Sequence, residues 1–441
     1  MPTLAIPESR HLPFVGALPF YFRDPLHYLE TESRKGDIVR MRTLGKSAWL
    51  VSEPTLIDQV LVKSAPLFQK DVFLRGLKTV LGEGLLASSG DFWKRQRRLI
   101  QPAFHRDRIA GYAKVMTDHA SRAVATWRGG QSLDIHHELM SLTAEIVTAC
   151  LFGTTAGDVS EVAACIEIIM QRFSNPLYLA LPKLGTLPLP SNRRFQEVAP
   201  RLDRIVRGFI EERRKGDLGH DLLGMLLAAR DDDGSSMSDQ QVRDEVLILF
   251  LAGHETTALS LSWTLHELAL NPEVEHRLHE ELARVLGGRE PTFEDLPRLE
   301  YTARIVTESL RLHPPAWSVG RESIERFDLG GHSFEKGAWI WIPTWAIHRD
   351  ARWFPEPLAF RPERWEDGLA KKIPKFAYHP FGGGPRICIG NQFALMETSL
   401  LLATLCQKFW LRGEPGHRVV ADPAITLRFK HGLRMTLTAR D

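Results

Sequence analysis

The longest apolar run in the chain starts behind a polar cap. Ser238 and Gln241 stand at capping-box spacing. From Glu245 through Val246-Leu247-Ile248-Leu249-Phe250-Leu251 to about Leu270 almost no polar face persists, which predicts a helix inside the core. Asn271-Pro272 ends it, and Pro272 suits the first position of a following helix. Near the start, segments 38–44 and 47–52 flank Gly45-Lys46 and predict a hairpin. Helical periodicity dominates from about 91 to 286, and a further helix over 299–312 stops before Pro314-Pro315. Strands are predicted over 323–329 and 338–342, and a last helix over 389–409. This order predicts a mainly α chain with a small segregated β region, an α+β class. The helix-rich core should cover about 91–315 and 389–410, and the β-rich parts about 36–55 and 321–345. With no repeat and no low-complexity linker, a single domain over 1–441 is expected.

Composition removes several function classes. Lys plus Arg number 56 against 54 Asp plus Glu, a net charge of +2 that gives no support for nucleic-acid binding. The four cysteines, Cys150, Cys165, Cys388 and Cys406, form no Cys-x-x-Cys pair, which argues against a zinc ribbon and fits a reducing compartment. The first ten residues lack a signal-type apolar region, and Pro2, Pro7 and Pro13 interrupt what apolar character there is. A cytoplasmic protein without a membrane anchor is expected.

Phe381-Gly382-Gly383-Gly384-Pro385-Arg386-Ile387-Cys388-Ile389-Gly390 precedes the last helix. Three glycines permit positive φ and close approach to a flat ligand. A cysteine at a helix N-terminus is favoured as thiolate, because free N–H groups and the macrodipole stabilise negative charge. For Cys150, Cys165 and Cys406 the surroundings predict only small buried hydrophobes. The segment resembles the haem-binding loop of the cytochrome P-450 family, Phe-x-x-Gly-x-Arg-x-Cys-x-Gly. Phe381, Gly384, Arg386, Cys388 and Gly390 match its fixed positions. The resemblance implies a triangular helical fold around a buried haem b (iron protoporphyrin IX). It also implies Cys388 as the iron ligand, favouring O–O cleavage, and Arg386 at a haem propionate.

Three further motifs precede this loop, and all four stand in family order from Trp93 to Gly390. Glu308-Ser309-Leu310-Arg311 puts a carboxylate and a guanidinium on one helix face, a spacing that weak surface pairs share. Together with Arg361-Pro362-Glu363-Arg364-Trp365 it resembles the family's structural network, implying such roles for Glu308, Arg311 and Arg364. Ala252-Gly253-His254-Glu255-Thr256-Thr257 lies inside the apolar helix, where polar groups are costly unless paired or used. Simple back-bonding of a threonine to the preceding turn is the plainer alternative. The resemblance implies that Ala252 and Gly253 leave room over the haem, Thr256 steadies dioxygen and Glu255 relays protons. It gives His254 no role as a metal ligand. Trp93 and Arg97, four residues apart, resemble the family's propionate-binding pair, and Arg321 stands where related bacterial enzymes carry another such arginine.

The implied reaction places one atom of O2 in an apolar small molecule and reduces the other to water. No Gly-x-Gly-x-x-Gly unit follows a strand, so electrons are expected from a separate ferredoxin or flavodoxin system. Lys94, Arg95, Arg98, Lys371, Lys372 and Lys375 predict a basic patch for such a partner. Family position assigns the substrate pocket to Phe68, Phe73, residues 173–189, Leu249, Ala252, Ala316, Trp317, Val319 and Phe429. This lining is mainly apolar. Fatty acids, terpenoids, steroids and aromatics all fit it, and the Ala-Gly-His-Glu-Thr-Thr variant leans toward fatty acids. A peroxide-using or isomerising relative, or a haem-based sensor or carrier, is the alternative; the Glu255-Thr256 pair argues against each.

Overall fold

A computed structural model describes residues 5–43, 45–153, 161–162, 164–165, 168–169, 187, 189–219 and 221–440. The chain packs as two compact units, each assembled from separated stretches. The first takes the residues up to Val72, Arg304–Ile389 and Thr426–Arg428. Its centre is a five-stranded sheet in the order Ile38–Thr43, Lys46–Val51, Trp339–Ile342, Val319–Ser323, Phe68–Lys70. Only Lys46–Val51 and Trp339–Ile342 run parallel among these pairs.

Trp339-Ile340-Trp341-Ile342 illustrates why the strands form. Aromatic and β-branched residues suit a pleated surface, and alternate side chains take opposite faces. Trp339 and Trp341 stack with ring centroids 5.4 Å apart. Ile340 and Ile342 face the other way, fully buried with Ile38, Val51, Phe68, Phe327 and Phe376. The expected hairpin forms, with Ile38 opposite Val51. The strand expected over 323–329 needs correction. Val319–Ser323 ends where that strand was to begin, and Phe327–Leu329 pairs instead with His332–Phe334. Ile324 N–H donates to Leu67 C=O, and Ser323 Oγ accepts from Ala338 N–H, so the chain turns between them.

The second unit comprises Phe73–Ala303, Gly390–Ile425 and the residues from Phe429 onward. Its long helix spans Asp239–Leu270 behind the expected capping box. Gln241 N–H donates to Ser238 Oγ, and Ser238 N–H to Gln241 Oε1. The helix packs along Ile135–Phe152 and Pro190–Lys215, while Asn391–Lys408 packs along Arg106–Thr126. Among the described residues it is the one helix long and apolar enough to cross a membrane, and 83% of that stretch is buried in the protein. A three-stranded antiparallel sheet, Ser132–Asp134, Arg434–Ala439 and Phe409–Gly413, was not foreseen. Ser132–Asp134 is too short to carry a period, whereas Arg434–Ala439 does alternate, with Met435 and Leu437 buried. The described chain is mainly helical with small separate sheets.

Candidate active site

Residues 381–388 fold back on themselves. Cys388 N–H donates to Phe381 C=O at 3.0 Å, and Ile387 N–H to Gly384 C=O at 3.1 Å. Gly384 has φ +67°, and a Cβ there would stand 1.9 Å from Leu61 C=O, so both handedness and space demand glycine. Gly390 is different: its φ is −90°, and a Cβ would meet Phe104 no closer than 3.8 Å. The last helix opens at Asn391, so Cys388 precedes the cap rather than lying in the first turn. The loop leaves Cys388 exposed, whereas Cys150, Cys165 and Cys406 are buried. Burial pushes the Cys150 and Cys406 thiols upward, holding them neutral.

The motif at Glu308 is a buried cluster, not a surface pair. Glu308 and Arg311 are both 0% exposed. Glu308 Oε1 accepts from Arg311 Nη2 at 2.8 Å, Arg364 Nε at 2.8 Å and Arg361 N–H at 2.9 Å. Its Oε2 accepts from Arg311 Nε and from Trp365 Nε1, each at 2.9 Å. Both guanidiniums spend their other N–H groups on loop carbonyls: Arg311 on His348, Pro357 and Ala359, Arg364 on Pro355, Glu356 and Ala359. The indole of Trp365 was not foreseen as a partner, although it adjoins Arg364 in the motif.

The same unit gathers cations. Arg321, 5% exposed, sits on Val319–Ser323, and burial lowers its pKa to about 10. Burial, together with the charge of Arg321, likewise lowers Arg386 to about 10. An exposed thiol on a glycine-rich turn, with a buried and a half-buried guanidinium in the same unit, fits a flat anionic ligand that carries a thiolate-seeking metal.

In the second unit the buried middle of the long helix is interrupted by one open stretch. Ala252 is exposed and Gly253 and Thr256 are partly so, while residues on either side are buried. Ala252 and Thr256 share a face at i, i+4 spacing, and Thr256 Oγ1 donates to Ala252 C=O at 2.5 Å. That is the back-bonded geometry of the plainer alternative, here beside an open surface. Glu255 is buried. His254 is a satisfied core residue: its Nδ1 donates to Phe250 C=O at 3.1 Å and its own C=O accepts from Thr143 Oγ1 at 2.9 Å. On helix Gly90–Ile100, Trp93 is buried and Arg97 half-buried, four residues apart on one face.

The expected pocket residues divide. Phe68 belongs to the core of the small sheet, edge-on to Phe327 at 4.8 Å. Phe429 stacks on Trp263 at 3.9 Å, and Trp317 is buried near Trp341. Leu249 is buried, Val319 half-buried, and Phe73 and Ala316 exposed. Of residues 173–189, all but Leu187 and Leu189 lie outside the described residues. The expected basic patch is partly neutralised: Lys94 pairs with Asp91, and Arg95 and Arg98 both pair with Asp231.

Comparison with known proteins agrees with these features. The family model for cytochrome P-450 matches residues 6–424. Cyclooctatin synthase of Streptomyces melanosporofaciens is 37% identical, covering 97% of this chain and 96% of that protein. Cyclooctat-9-en-7-ol 5-monooxygenase of the same organism is 37% identical over 92% of this chain and 89% of its own. Pentalenene oxygenase of Streptomyces avermitilis is 34% identical over 97% and 96% respectively. The chain therefore belongs to the cytochrome P-450 family, oxidoreductases that hold haem b through a cysteine thiolate.

Proposed function

We propose that this protein hydroxylates a terpenoid-type alicyclic compound, with Cys388 as the iron ligand and a separate ferredoxin or flavodoxin as electron donor. The observation that carries the ligand assignment is the exposed thiol of Cys388, set on a turn whose Gly384 admits no side chain. Bound haem supplies the centre at which dioxygen is reduced by two electrons, one atom entering the substrate and the other leaving as water. Around that chemistry the chain's own residues hold the cofactor and move protons. Arg321 and Arg386, with Trp93 and Arg97, bind carboxylates of the ring system. The opening at Ala252, Gly253 and Thr256 gives a small diatomic molecule room beside a hydroxyl. Thr256 steadies it there once its Oγ1 proton leaves Ala252 C=O, and Glu255 passes protons from within the helix. A cytoplasmic location and a single catalytic domain over the whole chain belong to the same reading.

The substrate class rests on the relatives whose names specify cyclooctat-9-en-7-ol and pentalenene, both cyclic alkenes. These outweigh the lean toward fatty acids taken from one hexapeptide. Two spectra test the proposal. The reduced, carbon-monoxide-bound protein should show the strongly red-shifted Soret band of a thiolate ligand, and a band at the ordinary position would remove Cys388 from its role. Titration of the ferric protein with cyclic terpenoid alkenes and with long-chain fatty acids should then move the spin state with the former. A response to fatty acids alone would overturn the substrate class.

A further inference from the structure

We infer that the acidic turn Asp231-Asp232-Asp233-Gly234-Ser235 masks the outer face of helix Gly90–Ile100 against an acidic electron-carrier protein that would dock there. The inference rests on the reading of a separate electron donor given above, and it concerns the second unit alone. Trp93 and Arg97 share one face of this helix. Asp91, Lys94, Arg95 and Arg98 lie on its outer side, their side chains 95%, 69%, 25% and 59% exposed. Lys94, Arg95 and Arg98 give that side an excess of two positive charges over Asp91, the complement of an acidic carrier.

The turn is built to meet these cations. Asp231 N–H donates to Ser235 C=O and Gly234 N–H to Asp231 C=O, each at 2.8 Å, and Gly234 supplies the φ of +79°. The Asp231 carboxylate, 8% exposed, takes one guanidinium on each oxygen. Arg95 Nε donates to its Oδ2 at 2.8 Å and Arg98 Nη2 to its Oδ1 at 2.5 Å. Arg95 Nη2 reaches on to Ser235 Oγ at 2.8 Å and Ser236 C=O at 3.3 Å. Arg98 Nη1 stands 3.3 Å from Asp232 Oδ2. Asp233 accepts from Ser235 N–H and lies in the field of Arg95. The three carboxylates turn a local excess of two positive charges into one negative charge. Exposed ion pairs are weak and screened by salt, so a donor carrying carboxylates competes with the turn rather than being shut out.

The probe is an acidic two-iron ferredoxin. Its association rate with immobilised ferric holoprotein is read at low ionic strength and at about 0.15 M salt, where the screening length is about 8 Å. Wild type should associate slowly and with little dependence on salt, because salt weakens the mask and the attraction together. Asp231→Asn frees both guanidiniums and should speed association at low ionic strength by roughly tenfold, the lower end of the range among variants of one interface. That gain should fall steeply as salt is added. Asp232→Asn removes only the second partner of Arg98, leaves the turn's own bonds intact and should give a smaller gain. Asp422→Asn adds the same charge on strand Ala421–Pro423 and should stay near the wild-type rate. A gain as large in Asp422→Asn would reduce the effect to net charge, and no gain in Asp231→Asn or Asp232→Asn would remove the mask; each overturns the inference. Ferredoxin that binds wild type in either case leaves the donor reading standing. Ferredoxin that binds neither wild type nor Asp231→Asn defeats that reading, and the inference with it.

Discussion

Arg311 and His348 are joined twice, in opposite directions. Arg311 Nη1 donates to His348 C=O at 2.8 Å, and His348 Nδ1 donates to Arg311 C=O at 3.2 Å. His348 Nε2 is then the acceptor and takes His379 N–H at 2.9 Å. His379 lies two residues ahead of Phe381, whose carbonyl holds Cys388, so one neutral imidazole ties the Glu308 cluster to the cysteine loop. Burial, with the charges of His379 and Arg311, depresses the pKa of His348 well below 6.5, and burial takes His379 to about 4. Below about pH 6.5 an unfolded chain binds protons at these rings before the folded one does. Their contribution is therefore complete above that pH and is lost as pH falls toward the folded values. Melting temperature should drop between about pH 6.5 and 5 in the wild type and drop less steeply in His348→Gln. Parallel curves would count against the tie.

Glu308 accepts five hydrogen bonds, four from two guanidiniums and an indole and one from a backbone N–H. Glu308→Ala leaves buried guanidiniums without their counter-charge, a loss of about 3–5 kcal/mol. Denaturant midpoint and haem absorbance per mole of protein should both fall. A wild-type midpoint with full haem content would contradict the cluster's structural weight.

Thr256 bonds its own helix at Ala252 while facing the open stretch. Thr256→Ala removes the hydroxyl without burying or exposing a charge, so folding and haem content should hold. Product formed per electron pair consumed should fall by roughly a hundredfold, the lower end of what a placed proton donor contributes. Thr256→Ser should keep most of the coupling. Unchanged coupling in the alanine variant would reduce Thr256 to the back-bonded residue its geometry also describes.

Glu397 lies on Asn391–Lys408, and burial lifts its pKa to about 8 against the pull of a hydrogen bond with Thr257. The folded state thus holds a proton that the unfolded chain releases from about pH 4.5 upward. Stability from this group is full below that pH and is lost as pH rises through 8. Glu397→Gln keeps shape and neutrality and should shift the denaturant midpoint upward at about pH 9 relative to wild type, with little change near pH 5. Glu245, raised to about 8 by burial in the same way, stays in both proteins and leaves a residual slope. A variant no more stable than wild type in alkali would refute this.

Contiguous features were legible before any coordinates. The capping box at Ser238, the hairpin at Ile38–Thr43 and Lys46–Val51 and the glycine turn before Cys388 each rest on neighbours within a few residues. The packing of the expected pocket residues was not, because an apolar side chain reads the same whether it lines a cavity or fills a core. Phe68 and Phe429, both assigned to the pocket by position, pack on Phe327 and Trp263. For two members of the expected basic patch, Arg95 and Arg98, the sequence could not show the partner, because Asp231 is remote in sequence.

By itself the sequence determined the helical class, the family and the candidate set around Cys388, because spacing along a chain fixes which groups share a turn or a helix face. Only the tertiary structure decided that Glu308 is saturated by five donors and that His348 carries one fixed tautomer. It alone set Lys70 opposite Arg321, since strand register is chosen by packing between segments distant in sequence. Cys388 was a candidate by motif. Its exposure, beside three cysteines held inside the protein, is a property of the folded chain alone.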